Sequence, residues 1–370
     1  MSWQLRVPGK LMLAGEYAIL TPGSLALMLG VQRYLYIDCS PADSFQLHSE
    51  LHAEAWPLPT DGSWQQAPEA LRFAAAAAQT ALAYLSALPE SPALAPLTLS
   101  LRSELAHKGL KLGLGSSAAV CVGVVSALLT GAGLPLAESA ETRFKLAYLA
   151  HSAVQGNGSG ADIAACVYGS VLAYTRPDPD RLPGGNLLSC VQQPWPLLGL
   201  EKIAWPAELQ LSFGWTGQPA HSGNWIKWFE AWQRESERPA HDFSDPFASP
   251  LSRFSAPQFL FDANANALAL RQALLDQSSE SLVAGIARSR RQLQWLNAAL
   301  PEPPETEALA QLADIAEALG GAGKLSGAGG GDCGLAWVTP AEAQTLAQRW
   351  HEAGIVPLDL ALDLQGAVLI

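Results

Sequence analysis

A glycine-rich, basic stretch in the first third of the chain constrains the fold more than any other segment. Residues 108–120 read Lys-Gly-Leu-Lys-Leu-Gly-Leu-Gly-Ser-Ser-Ala-Ala-Val and lead directly into a long apolar segment. Gly113 and Gly115 allow a tight turn and a close approach of the backbone to a ligand, and Ser116 and Ser117 are typical helix-capping residues. Because the first amides of a helix are unpaired and carry partial positive charge, the pattern predicts an anion site, most commonly one for nucleotide phosphates.

The same stretch has two other interpretations. Gly113, Gly115 and Ala118 match the loose dinucleotide-binding fingerprint, but such a site needs a clear strand before the loop and an acid about 20 residues after it. Here a basic, glycine-broken run precedes the loop, and Glu138 is a poor candidate for the acid. The Walker pattern Gly-x4-Gly-Lys-Ser/Thr is absent from the sequence. The second interpretation, a purely structural turn from a strand into a helix, is not excluded. Two further glycine-rich stretches in the chain count against it.

Composition limits the class of protein and its partners. The chain has 370 residues, 49% of them hydrophobic, which allows a large core and suggests two domains, placed here at residues 1–200 and 201–370. The net charge of −12 disfavours nucleic acid and anionic membranes as partners. The five cysteines form no Cys-x-x-Cys pair, and no signal peptide or membrane-spanning apolar run is evident, so we expect a cytoplasmic protein with buried thiols.

Hydrophobic periodicity predicts strands that alternate with helices, and therefore an α+β protein of two layers. The predicted strands lie at 3–7, 25–39 (as a pair), 97–101, 167–174, 209–214, 335–338, 355–360 and 366–370. The predicted helices lie at 68–88, 116–130, 137–154, 262–276, 278–299, 304–319 and 340–352. Pro8-Gly9 is expected to form a turn, residues 176–200 an interdomain connection, and residues 238–257 a mobile loop.

Three stretches resemble the three motifs of the GHMP kinases, the family named for galactokinase, homoserine kinase, mevalonate kinase and phosphomevalonate kinase. The first is Pro8-Gly9-Lys10 with Gly15-Glu16, the second is 113–119, and the third is 326–332. They occur in family order and spacing and cover the chain from end to end. The resemblance implies a two-domain GHMP kinase fold, with an N-terminal ribosomal-protein-S5-like α/β domain and a C-terminal ferredoxin-like α+β domain.

Within this family, the sequence is most similar to the bacterial-type phosphomevalonate kinases. The similarity lies in the first motif, in an aspartate loop, in a Gly-Trp-Thr-Gly-x-Pro-Ala segment and in the third motif, at residues 9–18, 155–162, 214–220 and 329–334. Mevalonate kinases carry a magnesium-binding glutamate at the position of His151, and a neutral imidazole is a poor ligand for Mg²⁺. One departure lies on the acceptor side, where His221 precedes Ser222 and the group usually has small hydroxyl residues.

The resemblance also implies ATP and Mg²⁺ as cofactors, and roles for the residues at matching positions. Lys10 and Asp162 would be catalytic, with Lys10 bridging donor and acceptor and Asp162 orienting Lys10 or the acceptor. The triphosphate would contact Lys108, Lys111, Gly113, Leu114, Gly115, Ser116, Ser117 and Ala118, and the Ser117 hydroxyl would bind Mg²⁺. The acceptor would contact Lys10, Glu16, Tyr17, His151, Asn157, Ser159, Gly160, Trp215, Ser222, Gly327, Ala328, Gly329 and Gly330.

The implied reaction is ATP-dependent phosphorylation of (R)-5-phosphomevalonate to 5-diphosphomevalonate in the mevalonate pathway of isoprenoid biosynthesis. The alternatives are a mevalonate kinase or another GHMP kinase acting on a small alcohol, and a non-catalytic GHMP-fold protein that binds a ligand. We expect a monomer or homodimer with a small-molecule substrate. A second phosphate needs further cations, and the candidates, each equally a solvated helix-face charge, are Arg143, Lys145, Arg290 and Arg291.

Overall fold

The computed structural model describes residues 2–58, 63–90, 92–107, 110–136, 139–206, 209–220, 223–236 and 255–370. Within these ranges, strands β1 to β14 span Trp3–Ala14, Leu25–Pro41, Gln46–Ser49, His52–Pro57, Leu97–Ser103, Ala106–His107, Leu110–Lys111, Val171–Thr175, Gly199–Ile203, Leu211–Trp215, Ala322–Leu325, Cys333–Trp337, Val356–Leu358 and Val368–Leu369. Helices α1 to α10 span Arg72–Ala87, Ser116–Gly131, Ala140–Gln155, Ala161–Tyr168, Leu187–Gln192, Gly223–Ser236, Ala256–Leu275, Ser279–Ala299, Glu307–Ala318 and Ala343–Glu352. The mobile loop predicted at 238–257 lies largely outside the described residues.

The larger of the two main sheets has helices packed against it. Its order is β14-β1-β2-β5-β3-β4, and β8 and β9 join it along the first half of β2. Helices α2 and α4 pack on β1 and β2, and α1 and α3 pack on α2. Residues 121–129 of α2 are all buried, as expected for a helix that is apolar on every side. Small residues allow this close approach, since a Cβ at Gly123 would lie 2.6 Å from Ile37 Cδ1.

The second sheet has the order β11-β12-β10-β13, and every neighbouring pair in it is antiparallel. Strand β10 leads through helices to β11 and β12, and α10 then connects β12 to β13. This β-α-β-β-α-β succession is the ferredoxin-like arrangement. Helices α8 and α9 pack on β11, and α10 packs on β10 and β13. The α+β class is confirmed. The predicted two layers were wrong for the large sheet, because α1 and α3 form a further layer on α2.

The domain boundary predicted at residue 200 stays a prediction. Strand β9 spans Gly199–Ile203 and pairs with β8 in the large sheet, so the chain leaves that sheet only after Ile203. The C-terminal strand β14 then returns to pair with β1. We therefore propose a domain division just after β9, with the last strand assigned to the first domain.

Several local predictions were wrong for reasons of tertiary pairing. Pro8 and Gly9 do not form a turn: they lie inside β1, where the pairing with β2 shifts register. Such a bulge tolerates a proline because the missing N–H is not needed in the ladder. Residues 25–41 form one long strand rather than a pair. The hairpin β3–β4, where the sequence predicts no strands, follows this strand. The interdomain connection predicted at 176–200 includes α5 and the start of β9.

The remaining helices and strands of the prediction lie close to their predicted positions, with shifted ends. The strand predicted at 167–174 begins at Val171, because α4 continues to Tyr168. No helix of the described residues has both the length and the apolarity needed to cross a lipid bilayer. All five cysteines are free thiols, and Cys190 is the one among them that is not fully buried.

Candidate active site

The three motif stretches and the aspartate loop meet around one cavity of about 260 Å³. It lies where β1, the starts of α2 and α4, the end of α3 and the loop before β12 come together. The sequence-predicted site residues that line it are Lys10, Glu16, Tyr17, Lys111, Gly113, Gly115, Ser116, Ser117, His151, Ser159, Gly160, Asp162, Gly327, Ala328 and Gly329. Segments distant in sequence are thus brought together as the motif pattern predicts.

Other predicted site residues are not among the lining residues. Leu114 and Ala118 are buried, and Trp215 is buried in β10. Gly330 packs against the ring of Trp225, and Asn157 is half-buried beside the cavity-lining part of its loop. Lys108, His221 and Ser222 lie outside the described residues. Trp215 is therefore placed as a core residue, because its position in a central strand of the second sheet turns it inward.

The phosphate loop reaches α2 through a glycine rather than through a serine cap. Helix α2 begins at Ser116, and its N-cap is Gly115 in the left-handed conformation, with φ of 81°. The prediction that the two serines cap the helix was wrong in this detail, because they are its first two residues. The first helical bond runs from Ala119 N–H to the Gly115 carbonyl. The preceding amides have no acceptor within the helix, as in an anion site.

Lys10 is held against this loop by its backbone and by its side chain. Its N–H donates to the Leu114 carbonyl at 3.0 Å. Its aliphatic chain crosses Gly115 so closely that a Cβ there would lie 2.8 Å from Lys10 Cγ. Its Nζ lies 3.2 Å from Asp162 Oδ2. Burial lowers the pKa of Lys10, but the charges of Asp162 and Asp332 outweigh burial and hold that pKa above its ordinary value. The ammonium is therefore charged at neutral pH.

Asp162 occupies the first turn of α4, which follows a rigid loop. Gly160 caps this helix with φ of 82°, and a Cβ there would lie 2.4 Å from the ring of Tyr148. The Tyr174 hydroxyl donates to the Ser159 carbonyl at 2.6 Å. A carboxylate in the first helical turn is stabilised by the helix dipole. These contacts fix the direction in which Asp162 meets Lys10.

His151 approaches the phosphate loop from α3. Its Nε2 lies 3.1 Å from Ser117 Oγ, and its ring packs on Phe73 with 4.8 Å between centroids. Burial lowers the pKa of His151 to about 4, although the charge of Asp162 opposes this. The imidazole is therefore neutral at neutral pH and contacts the Ser117 hydroxyl rather than a charged group.

The third glycine-rich loop and the end of β11 are fixed to β1 and to the turn that follows it. Ser326 Oγ accepts from Met12 N–H at 2.8 Å and donates to the Met12 carbonyl at 3.2 Å. The Tyr17 hydroxyl donates to the Ala328 carbonyl. The buried carboxylate of Glu16 pairs with the fully buried ammonium of Lys324, at the end of β11. The loop is thus ordered by the strand that carries Lys10 and by residues 16 and 17, which follow that strand.

Comparison with known proteins agrees with this geometry. The family model for the N-terminal domain of GHMP kinases matches residues 73–170, and the model for their C-terminal domain matches residues 270–356. The chain belongs to the GHMP kinase family. The phosphomevalonate kinase of Streptomyces sp. (strain CL190) is 33% identical over 97% of this chain and 96% of that protein.

Solved structures give the same grouping. The Lin0012 protein from Listeria innocua superposes with a TM-score of 0.88 at 33% identity, covering 100% of this chain and 99% of that one. The phosphomevalonate kinase of Streptococcus pneumoniae, in complex with phosphomevalonate and AMPPNP, superposes with a TM-score of 0.80 at 25% identity, covering 97% and 99%. Within the GHMP kinase family, this chain groups with the phosphomevalonate kinases.

Sequence reasoning missed one charged residue in the wall of this GHMP kinase site. Asp332 lines the cavity and lies against Gly113 of the phosphate loop. It stands at the end of the third motif, so the motif already contained the signal. It was not predicted because a carboxylate repels phosphate and is not expected beside a phosphate site.

Four cations were candidates for holding a second phosphate, and the prediction was wrong for the three that are buried. Arg143 donates to the carbonyls of Leu136 and Ala367, and Lys145 pairs with Glu141 at 2.7 Å. Arg290 forms ion pairs with Glu305, Asp314 and Glu317. Buried cations require such partners. Arg290 thereby links α8 to α9, whereas the Lys145–Glu141 pair lies within α3. Arg291 is exposed on α8, and none of the four is among the described residues that line the cavity.

Proposed function

We propose that this GHMP kinase transfers the γ-phosphoryl group of ATP to the phosphate of (R)-5-phosphomevalonate, giving 5-diphosphomevalonate and ADP. The observation that carries the proposal is the position of Lys10 between the phosphate loop and Asp162, in a chain that groups with phosphomevalonate kinases. Phosphoryl transfer depends mainly on positioning and on stabilisation of charge. A fixed ammonium at the phosphate loop supplies both.

The proposed ATP site uses the start of α2. Amides of residues 115–118 and the hydroxyls of Ser116 and Ser117 would hold the phosphates, with Lys111 as a further cation on the wall. Gly327 supports a close approach from the opposite side, since the space where its Cβ would lie is open. Lys10 would then face the transferred group and offset the charge that builds on it.

The nature of the acceptor decides what Asp162 has to do. A phosphate monoester has a second pKa near 6 and is already nucleophilic at neutral pH, whereas a hydroxyl gains from a nearby base. Asp162 is paired with Lys10 at 3.2 Å. For a phosphate acceptor we therefore propose that Asp162 orients Lys10 and that no strict general base is needed.

We also propose that Mg²⁺ accompanies ATP, with the Ser117 hydroxyl as its ligand from this chain. The described residues contain no group of three His, Cys, Asp or Glu side chains suited to a metal ion. Mg²⁺ at nucleotide sites takes many of its ligands from phosphates and water, so a single hydroxyl on the cavity wall fits this role. The bound ion would reduce the negative charge of the triphosphate. His151 would support Ser117 rather than bind the cation, because a neutral imidazole suits Mg²⁺ poorly.

A substrate panel with coupled ADP release tests the proposal. The purified chain is assayed with ATP, Mg²⁺ and either phosphomevalonate, mevalonate or other small alcohols, with Lys10→Met, for which we expect a strongly reduced but measurable kcat, as the control. Preference for phosphomevalonate supports the proposal. Preference for an alcohol assigns the chain to a sister kinase, and tight binding without turnover would indicate a ligand-binding protein. The cytoplasmic location and the monomeric or homodimeric state stay predictions.

A further inference from the structure

Asp332 ties the third glycine-rich loop to the segment that follows β10. Its N–H donates to the Gln218 carbonyl at 2.8 Å, and its own carbonyl accepts from Thr216 N–H at 3.0 Å. Its Oδ1 accepts from Ala220 N–H, also at 3.0 Å. The residue adopts a left-handed conformation with φ of 55°, which non-glycine residues adopt infrequently. Three bonds to one five-residue segment hold it in this conformation.

The other side of the same carboxylate lies on the phosphate loop. A Cβ at Gly113 would lie 2.5 Å from Asp332 Cγ and 2.6 Å from its Oδ2. Only glycine can therefore occupy position 113 while the carboxylate stays where it is. Asp332 thus stands between the phosphate loop of the first domain and residues 216–220 of the second.

A carboxylate in this position opposes the binding of a triphosphate. Among the described lining residues, the positive side chains are Lys10 and Lys111, and the carboxylates are Glu16, Asp162 and Asp332. Lys324 pairs with Glu16, and Asp162 already pairs with Lys10. Asp332 adds a further negative charge, which raises the pKa of Lys10 but repels phosphate. A contribution of Asp332 to the reaction must therefore come in the transfer step, after ATP has bound.

We infer that Asp332 is a positioning residue that weakens ground-state binding of ATP and aligns Lys10 and the Ala220 amide for transfer. This inference rests on the proposed function. The charge of Asp332 acts on the Lys10 ammonium together with that of Asp162, and the Asp332 carboxylate lies against Gly113 of the phosphate loop. Its bonds to residues 216–220 lie within the second domain and hold the carboxylate where it meets Gly113 of the first domain.

Asp332→Asn tests the charge alone. Asparagine has the same size, tolerates the left-handed conformation and can still accept from Ala220 N–H. Because misplacement by about 1 Å can cost 10²-fold, we expect kcat to fall about 10- to 100-fold. We expect the KM for ATP to stay level or to fall, because repulsion is removed. An unchanged kcat, or a raised KM for ATP, would overturn the inference. Asp359→Asn, at an exposed carboxylate outside the cavity, is the matched control.

A double-mutant cycle tests whether Asp332 acts through Lys10. If it does, Asp332→Asn changes kcat by no more than about twofold in a Lys10→Met background, since the coupled group is already absent. A full additional loss in that background would overturn the inference. A merely structural role predicts instead a lowered melting temperature with no split between kcat and KM.

Calorimetry with AMPPNP separates this inference from the proposed function. We expect Asp332→Asn to bind the analogue at least as tightly as the unaltered chain, and weaker binding would overturn the inference. If the unaltered chain fails to turn over phosphomevalonate, the proposed function fails. The binding comparison still decides whether Asp332 repels the nucleotide.

Discussion

The ammonium of Lys10 lies 3.2 Å from the carboxylate of Asp162, although one belongs to the first strand and the other to the fourth helix. Their charges compensate each other in a partly closed cavity. We therefore propose different roles for the two residues: Lys10 acts at the phosphate loop, and Asp162 orients Lys10.

Removing the two members of this pair is expected to have unequal effects. Lys10→Ala deletes the charge that we propose stabilises the transferred group, and we expect kcat to fall about 10²- to 10³-fold. Asp162→Asn keeps the size and a hydrogen-bond acceptor for Lys10, so we expect a loss of about tenfold or less for a phosphate acceptor. Steady-state ADP release with phosphomevalonate measures both variants. Comparable losses would contradict the assignment and would indicate that Asp162 acts as a base.

The close contact between Lys10 and Gly115 predicts a position-specific effect of one methyl group. Gly115→Ala places a Cβ 2.8 Å from Lys10 Cγ and strains a residue with φ of 81°. We expect the KM for ATP to rise and kcat to fall by about tenfold or more, because both the loop and Lys10 must shift. Gly133→Ala is the matched control, since its φ is 80° and nothing lies within 4 Å of the added Cβ. The control is expected to lose about 1 kcal/mol of stability and no activity.

The parts of the site that follow from local chemistry could be predicted from the sequence. The glycines and serines at 113–117 specify a turn into a helix, and the apolar run after them specifies a buried helix, as α2 confirms. The glycine that precedes Asp162 likewise marks the start of α4. These features depend on residues within a few positions of one another.

The features that depend on distant partners could not be predicted in this way. The register shift at Pro8 and Gly9 is set by pairing with β2, and the hairpin β3–β4 by its place beside β5. Arg290 looked like a free helix-face charge until its carboxylate partners were placed around it. Asp332 became a candidate only when folding brought it against Gly113.

The pKa of Lys10 predicts how its contribution to stability depends on pH. Burial lowers this pKa, but the nearby carboxylates raise it above the ordinary 10.5, so the folded state holds the proton more tightly than the unfolded state. The contribution is therefore fully present below pH 10.5 and is lost as pH rises through the folded-state pKa. We expect the difference in unfolding free energy between the unaltered chain and Lys10→Met to stay constant from about pH 7 to 10 and to fall above about pH 10.5. Urea unfolding at each pH measures it, and a fall that begins near neutral pH would contradict this sign.

The buried pair of Glu16 and Lys324 is expected to matter for stability as a pair. Burial lowers the pKa of Lys324 even beside Glu16, so either charge left alone is costly. Lys324→Met should cost about 3–5 kcal/mol, and adding Glu16→Gln should recover most of that loss. Arg271→Met, in the more exposed pair with Glu201, is the control and should cost about 0–1 kcal/mol. Urea unfolding compares the variants. A single-variant loss as small as that of the control, or no recovery in the double variant, would show that the folded state does not depend on this contact.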